Sequence, residues 1–379
     1  ITQAIRFGDF NDPTSTVSEL VRDNASFQMH EELGTDPQIK YLYEVPHATP
    51  GQSARPEDID DEKLRDPTNP LVGQRQTFWD ARAATNFTLG GLSTGLALVS
   101  FVLFLAGWLD AAALVGLNVL AGVGMAVGLG AVFLEIGRKE RFLRVLLRPQ
   151  SSWMTRETYA VAVFYPAIVW SLVSPSLAVF SVIALAALAF LYCQARILHA
   201  AKGIPAWRAP AVPGLLVSTG LAEGASLLGL VAAIMPSALS SLGLPIGSPV
   251  AVCGAGLCLG AFVLWCGYQS SARANGIGPL ARDALDAVDP WLRWAGYGGA
   301  AVAFAIAAAL PAESAASTAA LLAGGTLGLA AGIVMKLTVI LRACHQQGYA
   351  VPKMPQRGSG SRAAPIRLGP GPSRVADPS

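Results

Sequence analysis

The stretch TNFTLGGLSTGLALVSFVLFLAGWL, residues 85–109, runs for 25 residues without a charge. A bilayer core about 30 Å thick needs about 20 apolar residues at a helical rise of roughly 1.5 Å, so this run predicts a membrane-spanning helix. Seven more runs of the same kind follow, at 111–134, 158–173, 176–198, 211–235, 248–270, 292–310 and 315–341. The third is short. The expected fold is therefore an all-α membrane protein, an eight-helix bundle carrying an extended soluble N-terminal segment. Composition agrees: of 379 residues 53% are hydrophobic and only 14% charged, well below the usual share of charge in soluble domains.

The chain divides into four parts. Residues 1–45 are mixed and soluble-looking, 46–78 form a linker rich in Pro and acids, 79–343 contain the bundle, and 344–379 form a Gly/Pro/Ser-rich tail expected to be disordered. A net charge of +2 and the lack of a glycine-rich phosphate loop argue against nucleic-acid binding. The five cysteines (Cys193, Cys253, Cys258, Cys266 and Cys344) lie in or beside apolar runs without metal-site spacing and read as small buried hydrophobes.

Lys and Arg fall on one side. The second connection holds Arg138, Lys139, Arg141, Arg144, Arg148 and Arg156; Arg196, Lys202 and Arg208 flank the fourth; the sixth holds Arg273, Arg282 and Arg293; the odd connections hold none. The positive-inside rule then places the even connections and both termini in the cytoplasm, with the chain in the inner membrane of a bacterium. A face that is basic because it docks a partner would allow the reverse orientation.

The connection RKERFLRVLLRPQSSWMTRE, residues 138–157, gathers most of these arginines. At 100° per residue Arg141, Arg144 and Arg148 share a narrow arc, which predicts a short amphipathic helix at the membrane face. Anchoring to lipid phosphates would explain the arginines equally well. Glu135 and Glu157 bracket the segment, and carboxylates at a bilayer boundary need partners. Arginine would keep such a carboxylate ionised, whereas an apolar pocket would turn it into a proton acceptor, as a quinol site requires.

Three segments carry a resemblance: LEIGRKERFLRVLLRPQSSWMTRE at 134–157, WDARAATNFTLGGLSTGL at 79–96 and ARILHAAKGIPAWRAP at 195–210. They resemble the quinone-interacting membrane anchors of molybdenum oxidoreductases, the polysulfide reductase and dimethyl sulfoxide reductase type. RPQSSWMTRE, 148–157, is the most specific part. The resemblance implies a subunit without a metal cluster of its own, binding ubiquinone or menaquinone beside a ferredoxin-like iron–sulfur subunit that connects to a molybdopterin catalytic subunit. It implies roles for Glu135, Arg141, Arg148 and Glu157; with Arg144, Trp153, His199 and Lys202 these form the candidate cofactor-binding set. Some dimethyl sulfoxide reductase anchors have histidine where Glu135 stands, which leaves the quinone and the direction of electron flow open. Residues 4–46 also resemble the tail of the ferredoxin-like partner, implying a fusion seen without its cluster-bearing front, since no cysteine precedes Cys193. A cytoplasm-facing sulfite-oxidising complex is one expected setting.

Two rival readings are a cytochrome b-like subunit and a secondary transporter. With only His30, His47, His199 and His345 available, two paired haems cannot be ligated, although one using His199 and His345 can. No convincing inverted repeat favours a transporter. Glu223 and Lys336, inside apolar runs, are expected to pair or to line a proton path.

Overall fold

The computed structural model describes residues 65–66, 72–135, 139–239 and 247–346, with backbone alone at 139–142 and 238. The expected docking segment at 1–45, most of the linker and nearly all of the tail lie outside the described residues. Every regular element described is helical.

The elements are α1 (Ala81–Leu105), α2 (Ala111–Glu135), a 3-10 helix (Lys139–Leu147), α3 (Trp153–Val173), α4 (Leu177–Ala200), α5 (Val212–Ile234), α6 (Gly247–Ala274), α7 (Pro279–Asp286), a π-helix (Trp291–Gly298) running into α8 (Gly299–Ala309), and α9 (Ala315–Leu337) ending in a π-helical turn (Thr338–Arg342). Side chains cap several N-termini: Asp80 accepts from the Arg82 amide, Ser152 from Thr155, Ser176 from Val179 and Ser314 from Ser317. Each satisfies a backbone donor that the helix leaves unpaired, which fixes where the helix begins.

Among the described residues seven helices are long and apolar enough to cross a membrane: α1, α2, α4, α5, α6, the π-helix with α8, and α9 with its final turn. The expected count was eight. The difference is α3, 21 residues long but opening with Arg156 and Glu157 and interrupted by Pro166.

Two cores share the central helices. One gathers α1, α2, α3, α4 and α5 around Leu96, Leu114, Met125, Phe164 and Phe190, and the other joins α5, α6, α8 and α9 around Trp265, Tyr268, Tyr297 and Phe304. The α1–α5 crossing is close enough that a Cβ on Gly95 would stand 1.9 Å from the Gly220 carbonyl oxygen, and one on Gly224 2.0 Å from the Gly95 carbonyl carbon. Only glycine permits that approach. At this crossing Lys336 Nζ donates to Glu223 Oε2 at 2.6 Å, both side chains being buried, so the two expected intramembrane charges are paired.

The two ends of the bundle sequence meet on the arginine-rich side. Gln76 N donates to the Cys344 carbonyl at 3.1 Å, Gln346 N to the Gln74 carbonyl at 2.9 Å, and Arg75 and His345 form an isolated antiparallel bridge. Gln76 Nε2 also reaches the Ile340 carbonyl, and Trp207, stacked on Trp79 at 5.0 Å, donates from Nε1 to the Val339 carbonyl at 2.7 Å. These bonds satisfy carbonyls that the π-helical turn leaves without an in-helix partner.

Candidate functional site

The connection of 139–147 is a 3-10 helix, which places residues three apart in one row. Positions 141, 144 and 147 therefore share a row, and Arg148 lies past the last turn, off the arc expected from α-helical spacing. Arg144 and Arg148 are exposed, and the Arg141 side chain lies outside the described residues. The following turn is closed by side chains of α3: Thr155 Oγ1 donates to the Val145 carbonyl, Tyr159 Oη to Leu146 at 2.7 Å, and Arg156 to Pro149 at 2.7 Å and Gln150 at 2.8 Å. These contacts hold RPQSSWMTRE as a rigid entry into α3.

That entry forms a cation–aromatic cluster. The Arg156 guanidinium lies 4.2 Å from the Trp153 ring centroid and that of Arg196, from α4, 5.0 Å, while Tyr192 meets Trp153 edge-on at 5.7 Å. Arg156 donates to the turn, whereas Arg196 Nε has no hydrogen-bond partner among the described residues and is available to an oxygen ligand. One turn further along α3, Glu157 is 7% exposed and its Oε1 has no hydrogen-bond partner among the described residues. On α4, Gln194 is buried and donates from Nε2 to the Asn86 carbonyl of α1 at 3.0 Å; Asn86 Oδ1 is buried and unpartnered among the described residues.

The other expected residues sit nearby on separate corners. Glu135 is half-buried at the end of α2, and Arg82 ties α1 to α2 by donating to the Leu134 carbonyl at 3.1 Å. The Arg82 guanidinium beside Asp80 holds that carboxyl below its ordinary range. His199 Nε2 lies 3.2 Å from Lys202 Nζ, and its Nδ1 is buried without a hydrogen-bond partner among the described residues. Among these residues neither Arg144 nor Arg148 bonds to Glu135 or Glu157; the guanidinium groups gathered at the entry of α3 are those of Arg156 and Arg196, over Trp153. Sequence reasoning did not single out Arg196, Asn86 or Gln194 for the site. Their signal was an amide or a charge inside an otherwise apolar helix.

The chain matches the menaquinone reductase iron–sulfur cluster-binding subunit of Nitratidesulfovibrio vulgaris, with 54% identity over 39 residues. The match covers 10% of this chain, and the chain spans about 15% of the length of that relative. No family model matches the chain.

Proposed function

We propose that the chain is the quinone-reactive membrane subunit of a redox complex, exchanging electrons between the quinone pool and an iron–sulfur partner that connects to a molybdopterin catalytic subunit. The observation that carries this reading is Glu157, a buried carboxylate with an unpartnered oxygen, one turn inside a membrane-face cluster of Trp153, Arg156 and Arg196. The short match to an iron–sulfur cluster-binding subunit supports the choice of partner.

A quinol releases two protons together with two electrons, so its site needs a proton acceptor and a donor for the headgroup oxygen. Glu157 Oε1 has an unoccupied lone pair to take a proton, and its apolar surroundings favour the protonated form. Arg196 reaches across the Trp153 face, where its guanidinium favours negative charge developing on an oxygen. Trp153 and Tyr192 supply flat apolar surfaces against which a ring can stack. Glu135, Arg141, Arg144 and Arg148 belong to the same stretch of chain leading into α3, and His199 and Lys202 to the end of α4; in this reading they take part in the headgroup site. The arginine-rich face is cytoplasmic in this reading, and the α3 span completes eight crossings.

Glu157→Gln keeps shape and removes the proton acceptor. In the assembled complex it should lower quinone-coupled turnover roughly 100-fold, the scale of a lost general base, while activity with a soluble artificial dye that bypasses the membrane stays within about twofold. Equal loss of both activities would give Glu157 a role in assembly, and loss of neither would remove it from the site.

A further inference from the structure

Asn86, Ser93 and Ser100 follow one another at seven-residue intervals on α1, about two helical turns apart, and therefore share a face. They are 7%, 0% and 0% exposed, and each has a side-chain oxygen with no hydrogen-bond partner among the described residues. Asn118 of α2, 2% exposed, has another. Other hydroxyls of α1 behave differently: Thr85, Thr88 and Thr94 donate to the carbonyls of Ala81, Ala84 and Gly90, four residues back. The unpartnered stripe meets α2 where α2 has no side chain. A Cβ on Gly128 would stand 3.2 Å from Asn86 Oδ1, and one on Gly124 2.5 Å from Ser93 Oγ. Continuing this antiparallel register brings Ser100 within a turn of Asn118.

From Asn86 to Ser100 the stripe covers about 21 Å of a core about 30 Å thick. Polar oxygens left bare at that depth are strongly disfavoured, and internal water making two to four hydrogen bonds is the general remedy. We infer that the α1–α2 seam holds a file of internal waters running from Asn118 and Ser100 through Ser93 to Asn86, and that this file is a proton route. Its inner end meets α4 where Gln194 Nε2 donates to the Asn86 carbonyl at 3.0 Å. Each water takes a proton on one side and releases one on the other, so a proton crosses with no electron transfer and no lasting change in any residue. The delivery of protons to or from a quinone headgroup rests on the function proposed above; the water file itself does not.

The test uses radiolytic hydroxyl-radical labelling of the full chain in membranes. Met125 is fully buried on the face of α2 that carries Gly124 and Gly128, and Met335 is equally buried on α9. Water in the seam should oxidise Met125 at least tenfold faster than Met335. Ser93→Val with Ser100→Val should bring Met125 down to the Met335 rate, whereas Thr94→Val, whose hydroxyl is already bonded, should leave it unchanged. Equal rates for the two methionines in the unaltered chain would overturn the file regardless of how the variants fold. In liposomes the double variant should also cut quinone turnover about tenfold and spare dye activity. Fast Met125 labelling without any quinone turnover would keep the file and remove its role; quinone turnover with equal labelling would keep the proposed function and remove the file.

Discussion

Glu223 sits midway along α5, and the Lys336 ammonium contacts it at 2.6 Å with both side chains out of reach of solvent. A buried pair contributes little against an apolar replacement, because desolvation offsets its Coulomb attraction, but one half left alone is costly. Glu223→Gln should therefore destabilise the bundle by about 3–5 kcal/mol, and Glu223→Gln with Lys336→Met should recover most of that loss. Thermal unfolding in detergent measures both. Trp207 offers a neutral comparison, since Trp207→Phe removes the 2.7 Å bond to the Val339 carbonyl and leaves a buried acceptor bare, a loss of about 1–3 kcal/mol.

Between elements, contact geometry matters more than apolar content. Gly95 of α1 faces the α5 backbone so closely that a methyl group would overlap the Gly220 carbonyl, whereas Gly116 of α2 has nothing within 4 Å of its added Cβ. Gly95→Ala should cost about 1–3 kcal/mol or more by forcing the helices apart, and Gly116→Ala should be neutral or slightly stabilising. The clip between residues 74–76 and 344–346 responds to pH. Burial first, and the Arg75 charge second, hold the His345 imidazole below its ordinary range. The folded chain thus binds this proton less readily than the unfolded chain, so the contribution is complete above the unfolded value of about 6.5 and is lost as pH falls through the lower folded value. Proteolysis just beyond Gln346 should accelerate over that window, and His345→Gln should flatten the dependence. By contrast, Asp283, held below its ordinary range by the bond from Arg65, loses its contribution only as pH falls below about 4, the unfolded carboxylate value.

Residues 72–76 and 344–346 meet at the end of the bundle where Arg82 of α1 reaches the Leu134 carbonyl of α2 and Trp207 of the basic fourth connection stacks on Trp79. A cytoplasmic arginine-rich face predicts that a reporter active only outside the membrane, fused after Arg342, stays inactive. Activity there would reverse the orientation and place Glu157 near the outer face.

The sequence by itself determined that this is a helical membrane bundle, because apolar run length and the one-sided placement of Lys and Arg are properties of the chain read along its length. It also marked Glu157, Trp153 and the Glu223–Lys336 pair, since a charge or a large aromatic stands out in an apolar run. It did not show that the connection turns at 3.0 residues per turn, which takes Arg148 off the row of positions 141 and 144, nor the bonds that Thr155, Tyr159 and Arg156 give to the preceding loop. Only the tertiary structure put Arg196 over Trp153, Gln194 against Asn86 and the glycines of α2 opposite unpartnered oxygens of α1. Those meetings join residues far apart in the chain, and helix packing sets them through close contact rather than through any local pattern.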